Sequence, residues 1–349
     1  MRGRDYRFAI LGTGLIARFH ARAIQEVPGG SLVAVCSRDR SRAEAFASEF
    51  GCKAYVELES MLTHAKVDVL VIATPSGAHL EAALAAAAAG VHVLCEKPLE
   101  ISVERVDAMI EAHRKAGTQL GCIFQIRYTP ALGPVREALQ EGRFGKLTYA
   151  GAYVPWWRTQ EYYSGSSWHG TMALDGGGAL MNQAIHMVDL LCDLMPPVES
   201  VAGVVSSVGH VGIQTEDAAA ASLRFEGGAV GVVYGSTSSW PGQAKRLEIS
   251  GTGGTAILVD DRLAVFSFLE PRASDRAVME QFGGIGDAVH GVKDPAAMGH
   301  VLHAACFKDF VAALEGGAPY PVSGESARKS VALVRAIYEA SATGRTVIL

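Results

Sequence analysis

The chain is poor in charge and has no long apolar run. Charged residues fill only 19% of its 349 positions, below the roughly 25% usual in soluble domains. Aliphatic, aromatic, Met and Cys residues reach 49%, so a large core can form and disorder is excluded as the main state. The longest apolar stretch, Ala82 to Ala89, falls far short of the roughly 20 residues of a membrane span. Arg2, Arg4 and Arg7 resemble a basic leader, but Phe8–Leu11 is too short for a signal peptide's apolar segment and glycines follow at once. No membrane partner is expected. Excess positive charge is also missing: 31 basic against 36 acidic residues leave −5, which argues against nucleic acid as the partner. The six cysteines (Cys36, Cys52, Cys95, Cys122, Cys192, Cys306) are scattered, with no pair at metal-ligand or redox spacing. Free thiols, a cytoplasmic location and no metal are the expectation, and no solenoid or propeller repeat is visible.

What is present is an alternation. From Arg7 to Phe124, short apolar runs (Phe8–Leu11, Leu32–Cys36, Val67–Ala73, Val91–Cys95, Leu120–Phe124) alternate with helix candidates (Leu15–Val27, Arg40–Phe50, Gly77–Ala89, Val103–Ala116). Continuous apolar strands suit a parallel sheet covered on both faces, and the order predicts a doubly wound α/β domain. Beyond Thr129 the texture changes. A helix at Pro134–Glu141 and a strand at Leu147–Trp157 precede a loop rich in Ser, Gly, Tyr and Trp, then a helix at Ala179–Leu194. Strand-like segments follow at Val198–Val208, Ala218–Phe225, Ala229–Ser236, Arg246–Ser250, Thr255–Val259 and Arg262–Phe268. The glycine pair Gly227-Gly228 marks a hairpin turn, so a largely antiparallel open sheet is expected. Residues near Glu270 to Ala297 read as a long excursion, and helices at His300–Leu314 and Ser326–Ala342 close the chain. The predicted division is a cofactor-binding domain over 1–127 and a substrate-binding and oligomerisation domain over 128–349, the C-terminal helix packing back on the first.

Gly12-Thr13-Gly14-Leu15-Ile16-Ala17 is a G-x-G-x-x-A between a strand and a helix. The first glycine permits the tight turn, the second admits a pyrophosphate to the backbone, and the small third residue lets helix pack on strand. The helix start supplies partial positive charge to the phosphates. The second strand ends in Cys36-Ser37-Arg38-Asp39, with Ser at the turn where an Asp or Glu would bind a ribose diol and repel a 2′-phosphate. A hydroxyl at Ser37 and a guanidinium at Arg38 suit a 2′-phosphate. The alternative is that Arg38 lies along the adenine while Asp39 caps a helix; the expectation is NAD(P), tipped towards NADP.

Lys97, in Cys95-Glu96-Lys97-Pro98 at the end of the fourth apolar run, stands beyond a strand's carboxyl end, where ligands of open α/β sheets bind. A lysine there can orient a carbinol and carry its proton. Further on, Asp175 to Asp189 joins a glycine triplet to a helix in which Asn182 and His186, four apart, share a face. Imidazole titrates near neutrality and suits removal of a hydroxyl proton, although a single histidine of this kind is more often a core residue.

These motifs, with Thr74-Pro75-Ser76, His79, Trp168 and the terminal Ala336-Ile337-Tyr338-Glu339-Ala340…Thr343-Gly344-Arg345, resemble the Gfo/Idh/MocA family of NAD(P)-dependent oxidoreductases nearly end to end. The resemblance implies a Rossmann domain, then an α/β domain whose open sheet mediates homodimers or homotetramers, and a sugar, cyclitol or sugar-nucleotide substrate. It implies Lys97 as the active-site lysine and His186 as the proton acceptor. Gly12, Thr13, Gly14, Leu15, Ile16, Ser37, Arg38, Thr74, Pro75, His79, Glu96, Gln125 and Trp168 would attend the cofactor; Arg127, Tyr128 and Asn182 would attend the substrate. Two positions depart from the family pattern: Asn182 replaces the usual Asp and His169 the usual Arg. Asn cannot hold negative charge, so a base role falls to His186. The segments Trp168–Gly178 and Met181–Asp189 are most similar to members that oxidise the 3-hydroxyl of nucleotide-linked sugar acids. Two other outcomes stay open: a glycosidase that retains its cofactor and acts through transient C3 oxidation, and a dinucleotide-sensing regulator without turnover.

Overall fold

The computed structural model describes residues 5–284 and 299–349. Two compact units account for them: 5–125 with 299–328, and 126–284 with 329–349. The sequence draws one boundary, after residue 127; the structure divides after Gln125 and returns 299–328 to the first unit.

In the first unit, β1 (Tyr6–Leu11), β2 (Gly30–Cys36), β3 (Lys53–Tyr55), β4 (Val69–Ile72), β5 (His92–Glu96) and β6 (Leu120–Ile123) form one sheet in the order β3-β2-β1-β4-β5-β6. Every pair is parallel. Helices α1 (Leu15–Gln25), α2 (Arg40–Phe50), α3 (Leu58–His64), α4 (His79–Ala88) and α5 (Val103–Ala116) connect the strands. All four residues of β4 are buried, as expected of a strand covered on both faces. In open sheets of this order, ligands bind at the switch point between β1 and β4, beyond the strands' carboxyl ends. The short polar strand β3 and the helix α3 escape the sequence reading because Lys-Ala-Tyr is too short and too exposed to give an apolar run.

The second unit uses the other strand pattern. Its elements begin with α6 (Leu132–Gln140), β7 (Leu147–Pro155), α7 (Gln160–Ser164), a π-helical turn over Ala179–Ala184 and α8 (Ile185–Leu194). They continue with β8 (Val198–Ser206), β9 (Ala218–Phe225), β10 (Val230–Ser236), β11 (Arg246–Gly251), β12 (Gly254–Val259), β13 (Arg262–Phe268) and α9 (Ala273–Phe282). The chain ends in α10 (Val301–Leu314), which belongs to the first unit, then α11 (Gly324–Thr343) and β14 (Val347–Ile348). The sheet runs β13-β12-β11-β7-β10-β9-β8-β14 and is antiparallel except between β7 and β10. Along β9 buried Ala219, Ala221, Leu223 and Phe225 alternate with outward residues, the period of a sheet with one covered face. Gly227 and Gly228, with φ of 84° and 89°, turn β9 into β10 through a three-residue loop closed by Gly228 N–H to Phe225 O at 3.0 Å and Phe225 N–H to Ala229 O at 2.9 Å. Part of the expected excursion after Glu270 is α9; residues 285–298 lie outside the described residues. Among the described residues no helix is long and apolar enough to cross a membrane.

The returning stretch closes the far edge of the first sheet. Tyr320 donates its hydroxyl to Cys122 O at 3.0 Å, and the Cys122 N–H donates to Val322 O at 2.8 Å. Phe307 of α10 packs on Phe8 of β1, ring centroids 5.8 Å apart.

Candidate active site

The glycine loop has the shape its sequence implies. Gly12 has φ 114°, and a Cβ there would stand 2.4 Å from Ala73 O, so only glycine fits between β1 and the end of β4. At Gly14 a Cβ would meet nothing within 4 Å; the space lies on the open side, where a phosphate approaches the backbone. Helix α1 starts at Leu15 with no side-chain cap and no acidic residue in its first turn, so no side chain competes for the amides that Thr13, Leu15 and Ile16 bring to the loop. An open cradle, uncapped amides and a helix dipole fit a dinucleotide pyrophosphate.

At the end of β2, Asp39 caps α2: Oδ1 accepts from Arg42 N at 3.1 Å and from Ser41 Oγ at 2.8 Å. Ser37 Oγ accepts from Asp39 N at 3.3 Å. Arg38 is exposed and makes no ion pair among the described residues. The capping role weighed for Asp39 is thus the one observed, and Arg38 remains able to meet a ligand.

The turn after β4 is built by His79, whose ring is wholly buried. Its Nε2 lies 3.0 Å from Thr74 O, and its Nδ1 lies 3.1 Å from both Pro98 O and Leu99 O. His79 therefore ties the Thr74-Pro75 turn to the segment after Lys97; its polar atoms face the backbone. The sequence reading placed it on the cofactor. Its observed contacts make it a holder of two loops that flank the cofactor end of the sheet.

Lys97 is half-buried. Its backbone N–H donates to Glu96 Oε2 at 3.0 Å, and Glu96 Oε1 lies 2.9 Å from Nε2 of fully buried His20 on α1. Burial pushes the Glu96 carboxyl up, but the His20 hydrogen bond and the charges of His20, His303 and Lys97 outweigh it and hold it down at about 2. His303 of α10 completes the group, its ring 5.4 Å from that of His20. Ligating atoms of His20, Glu96 and His303 lie within 4.8 Å of one another, donor types that suit a zinc-class cation; the contacts seen are the His20–Glu96 pair and the ring contact. The sequence reading aimed Glu96 at the nicotinamide, whereas its carboxylate is buried against α1. Neither His20 nor His303 was singled out, since each stands alone in an apolar helix. Gln125 is half-buried, and its Oε1 is enclosed without a hydrogen-bond partner, an acceptor suited to an amide donor of a ligand.

In the second unit the helix bearing Asn182 and His186 begins as a π turn and becomes α-helical at Ile185. The spacing of four is therefore not plain α-helical spacing as the sequence suggested. π-turns of this kind recur at functional sites because they re-aim side chains. Asn182 Nδ2 donates to Asp175 Oδ1 at 2.5 Å, and Asp175 Oδ2 accepts from Gly170 N at 2.8 Å. The chain thus carries a buried carboxylate beside Asn182, where the usual aspartate is lacking. Gln183 joins this group to the aromatic loop: its Nε2 donates to Tyr162 OH at 2.9 Å, and its Oε1 accepts from Arg158 Nη2 at 2.8 Å. His169 stacks on Tyr162 with centroids 4.2 Å apart and Trp168 packs on His169 at 4.0 Å. His186 is half-buried on α8.

Arg127, expected beside the substrate, has its guanidinium paired with two carboxylates. Its side chain is 4% exposed; Nε and Nη2 donate to Asp189 at 2.6 and 2.7 Å, and Nη1 donates to Asp193 at 2.8 Å. Burial pushes the Asp189 carboxyl up to about 6, against the pull of Arg127. Asp193 also accepts from Arg136. Arg127 instead anchors α8 three residues beyond His186, a pairing invisible in sequence because its partners lie sixty residues away. Tyr128 is half-buried beside it in the same short turn.

Family comparisons agree with this architecture. Residues 6–124 match the profile described as "Oxidoreductase family, NAD-binding Rossmann fold", and residues 134–257 match "GFO/IDH/MocA C-terminal domain". The chain is similar to the WlbA dehydrogenase of Bordetella pertussis, solved with NADH and UDP-GlcNAcA, at 32% identity and TM-score 0.88 over 99% of each chain. It is 29% identical to a D-apiose dehydrogenase of Paraburkholderia graminis, over 99% of this chain and 90% of that protein. It is 25% identical to an inositol 2-dehydrogenase of Rhizobium meliloti, over 98% of both. The chain belongs to the Gfo/Idh/MocA family, as an NAD(P)-dependent dehydrogenase acting on CH–OH groups of the sugar and cyclitol class.

Proposed function

We propose that this protein oxidises the 3-hydroxyl of a nucleotide-linked sugar acid. The observation that carries the reading is the 32% identity over 99% of both chains to a dehydrogenase solved with UDP-GlcNAcA. When bound, the nicotinamide supplies the hydride acceptor. Lys97 orients the carbinol oxygen through its ammonium, and His186 removes the hydroxyl proton as the neutral imidazole. Asn182, held by Asp175, offers a hydroxyl an amide partner. The Gly12–Ile16 loop binds the cofactor's pyrophosphate, and Ser37 with exposed Arg38 favours a 2′-phosphate. The open sheet joins copies of the chain as a homodimer or homotetramer, which the mass in solution tests.

Purified protein is offered UDP-GlcNAcA, D-apiose or myo-inositol with NAD⁺ or NADP⁺, and formation of the reduced nicotinamide is followed. Turnover with UDP-GlcNAcA at the highest kcat/KM is expected; turnover with either other compound and none with UDP-GlcNAcA overturns the substrate assignment. Lys97→Ala and His186→Ala should each lower kcat by about 10²–10⁴. Near-normal rates in both would sink the assignment of roles.

A further inference from the structure

The terminal motif around Tyr338 carries family resemblance yet has no part in the chemistry above, and the glycine triplet before Asn182 is unexplained by a phosphate. One arrangement accounts for both. Glu216, buried in the turn before β9, directs its carboxylate at the start of the π turn: Oε2 accepts from Gly178 N at 2.9 Å and Oε1 from Leu180 N at 2.8 Å. Its backbone carbonyl accepts from the amide between them, Ala179 N, at 3.0 Å. From α11, the Tyr338 hydroxyl donates to the same Oε1 at 2.9 Å. Three successive amides at the head of the helix are thus held by one residue, and that residue is held by Tyr338.

The glycines fit this clamp. A Cβ on Gly178 would stand 1.8 Å from Glu216 O, and one on Gly177 2.1 Å from the Tyr338 hydroxyl oxygen. Neither position admits alanine while the clamp is closed. A carboxylate at the first amides of a helix also meets the positive end of the helix dipole. Downstream, Arg127 grips Asp189 of the same helix. The stretch between these two anchors contains Asn182 and His186.

We propose that Glu216 and Tyr338 are positioning residues for the reaction: they fix the π turn and so set where Asn182 and His186 present their side chains. The inference rests on the proposed role of His186. It is distinct from general stability because Tyr338→Phe removes one hydroxyl and keeps the packed ring.

Amide hydrogen exchange of the full-length protein provides a readout that needs no substrate. In Tyr338→Phe and Glu216→Gln, exchange across 178–186 should quicken about tenfold or more, with β9 and β10 unchanged. With UDP-GlcNAcA as the probe, kcat should fall about 5- to 50-fold while KM stays within twofold. Unchanged exchange across 178–186 in Tyr338→Phe overturns the clamp, and faster exchange with unchanged kcat overturns its positioning role. If Glu216→Gln does not fold, Tyr338→Phe alone decides. A normal rate in His186→Ala defeats the role of the base, while the exchange result still decides whether Glu216 and Tyr338 hold the turn.

Discussion

Single residues here act mostly through what they hold. Gly12 carries the sharpest constraint, because its φ of 114° and the 2.4 Å approach of its would-be Cβ to Ala73 O leave no room for a side chain. Gly12→Ala should cost on the order of 1–3 kcal/mol from the strained backbone alone, and the displaced loop should lose dinucleotide. Titrating NADH fluorescence against wild type and variant checks this; equal affinity would contradict it. The sequence motif foretold the glycine, and the structure adds the opposing atom. Arg127 shows the reverse case. The family resemblance implied a place beside the substrate; a guanidinium matches carboxylates two at a time, and the structure pairs it with Asp189 and Asp193.

At the scale of elements, α8 matters most to the proposed reaction, since it bears His186, the proposed base. Replacing Arg127 by Met should leave the Asp189 carboxylate buried and unpaired, which typically costs about 3–5 kcal/mol. The expected result is a lower urea midpoint for Arg127→Met, with much of the loss recovered in Arg127→Met/Asp189→Leu, where both charges are gone. Additive losses in the double variant would refute the pairing. The same helix shows where periodicity misleads. A run such as Ala179 to Leu194 reads as one helix in sequence, yet its first six residues close π-type turns because Glu216 and the crowded glycines dictate where the amides go. Short elements vanish for a simpler reason: β3 and α7 have three and five residues, too few for either period to register.

Across the first unit, acid should be felt before the carboxylates titrate. Burial lowers both His113 and His303 from 6.5 to about 4. Between those values the unfolded chain binds protons that the folded chain refuses, so their contribution is full above pH 6.5 and disappears as pH falls through 4. Each span is worth on the order of 3 kcal/mol. Glu96, lowered from 4.5 to about 2, extends the loss further: its contribution is present above pH 4.5 and goes as pH falls through 2. Melting temperature measured between pH 7 and 4 should therefore decline, and His113→Gln and His303→Gln should each flatten the decline; an unchanged slope in both would refute it. The sequence by itself determined the two strand regimes and the glycine loop, and it offered Lys97 and His186 as candidates, because these depend on local periodicity and on residue types close together in the chain. Tertiary structure alone decided that residues 299–328 rejoin the first unit, that Arg127 grips α8, that His79 staples two loops, and that Glu216 and Tyr338 hold the π turn. Those contacts join residues tens to hundreds of positions apart, and burial and hydrogen-bond geometry, which no local pattern encodes, select them.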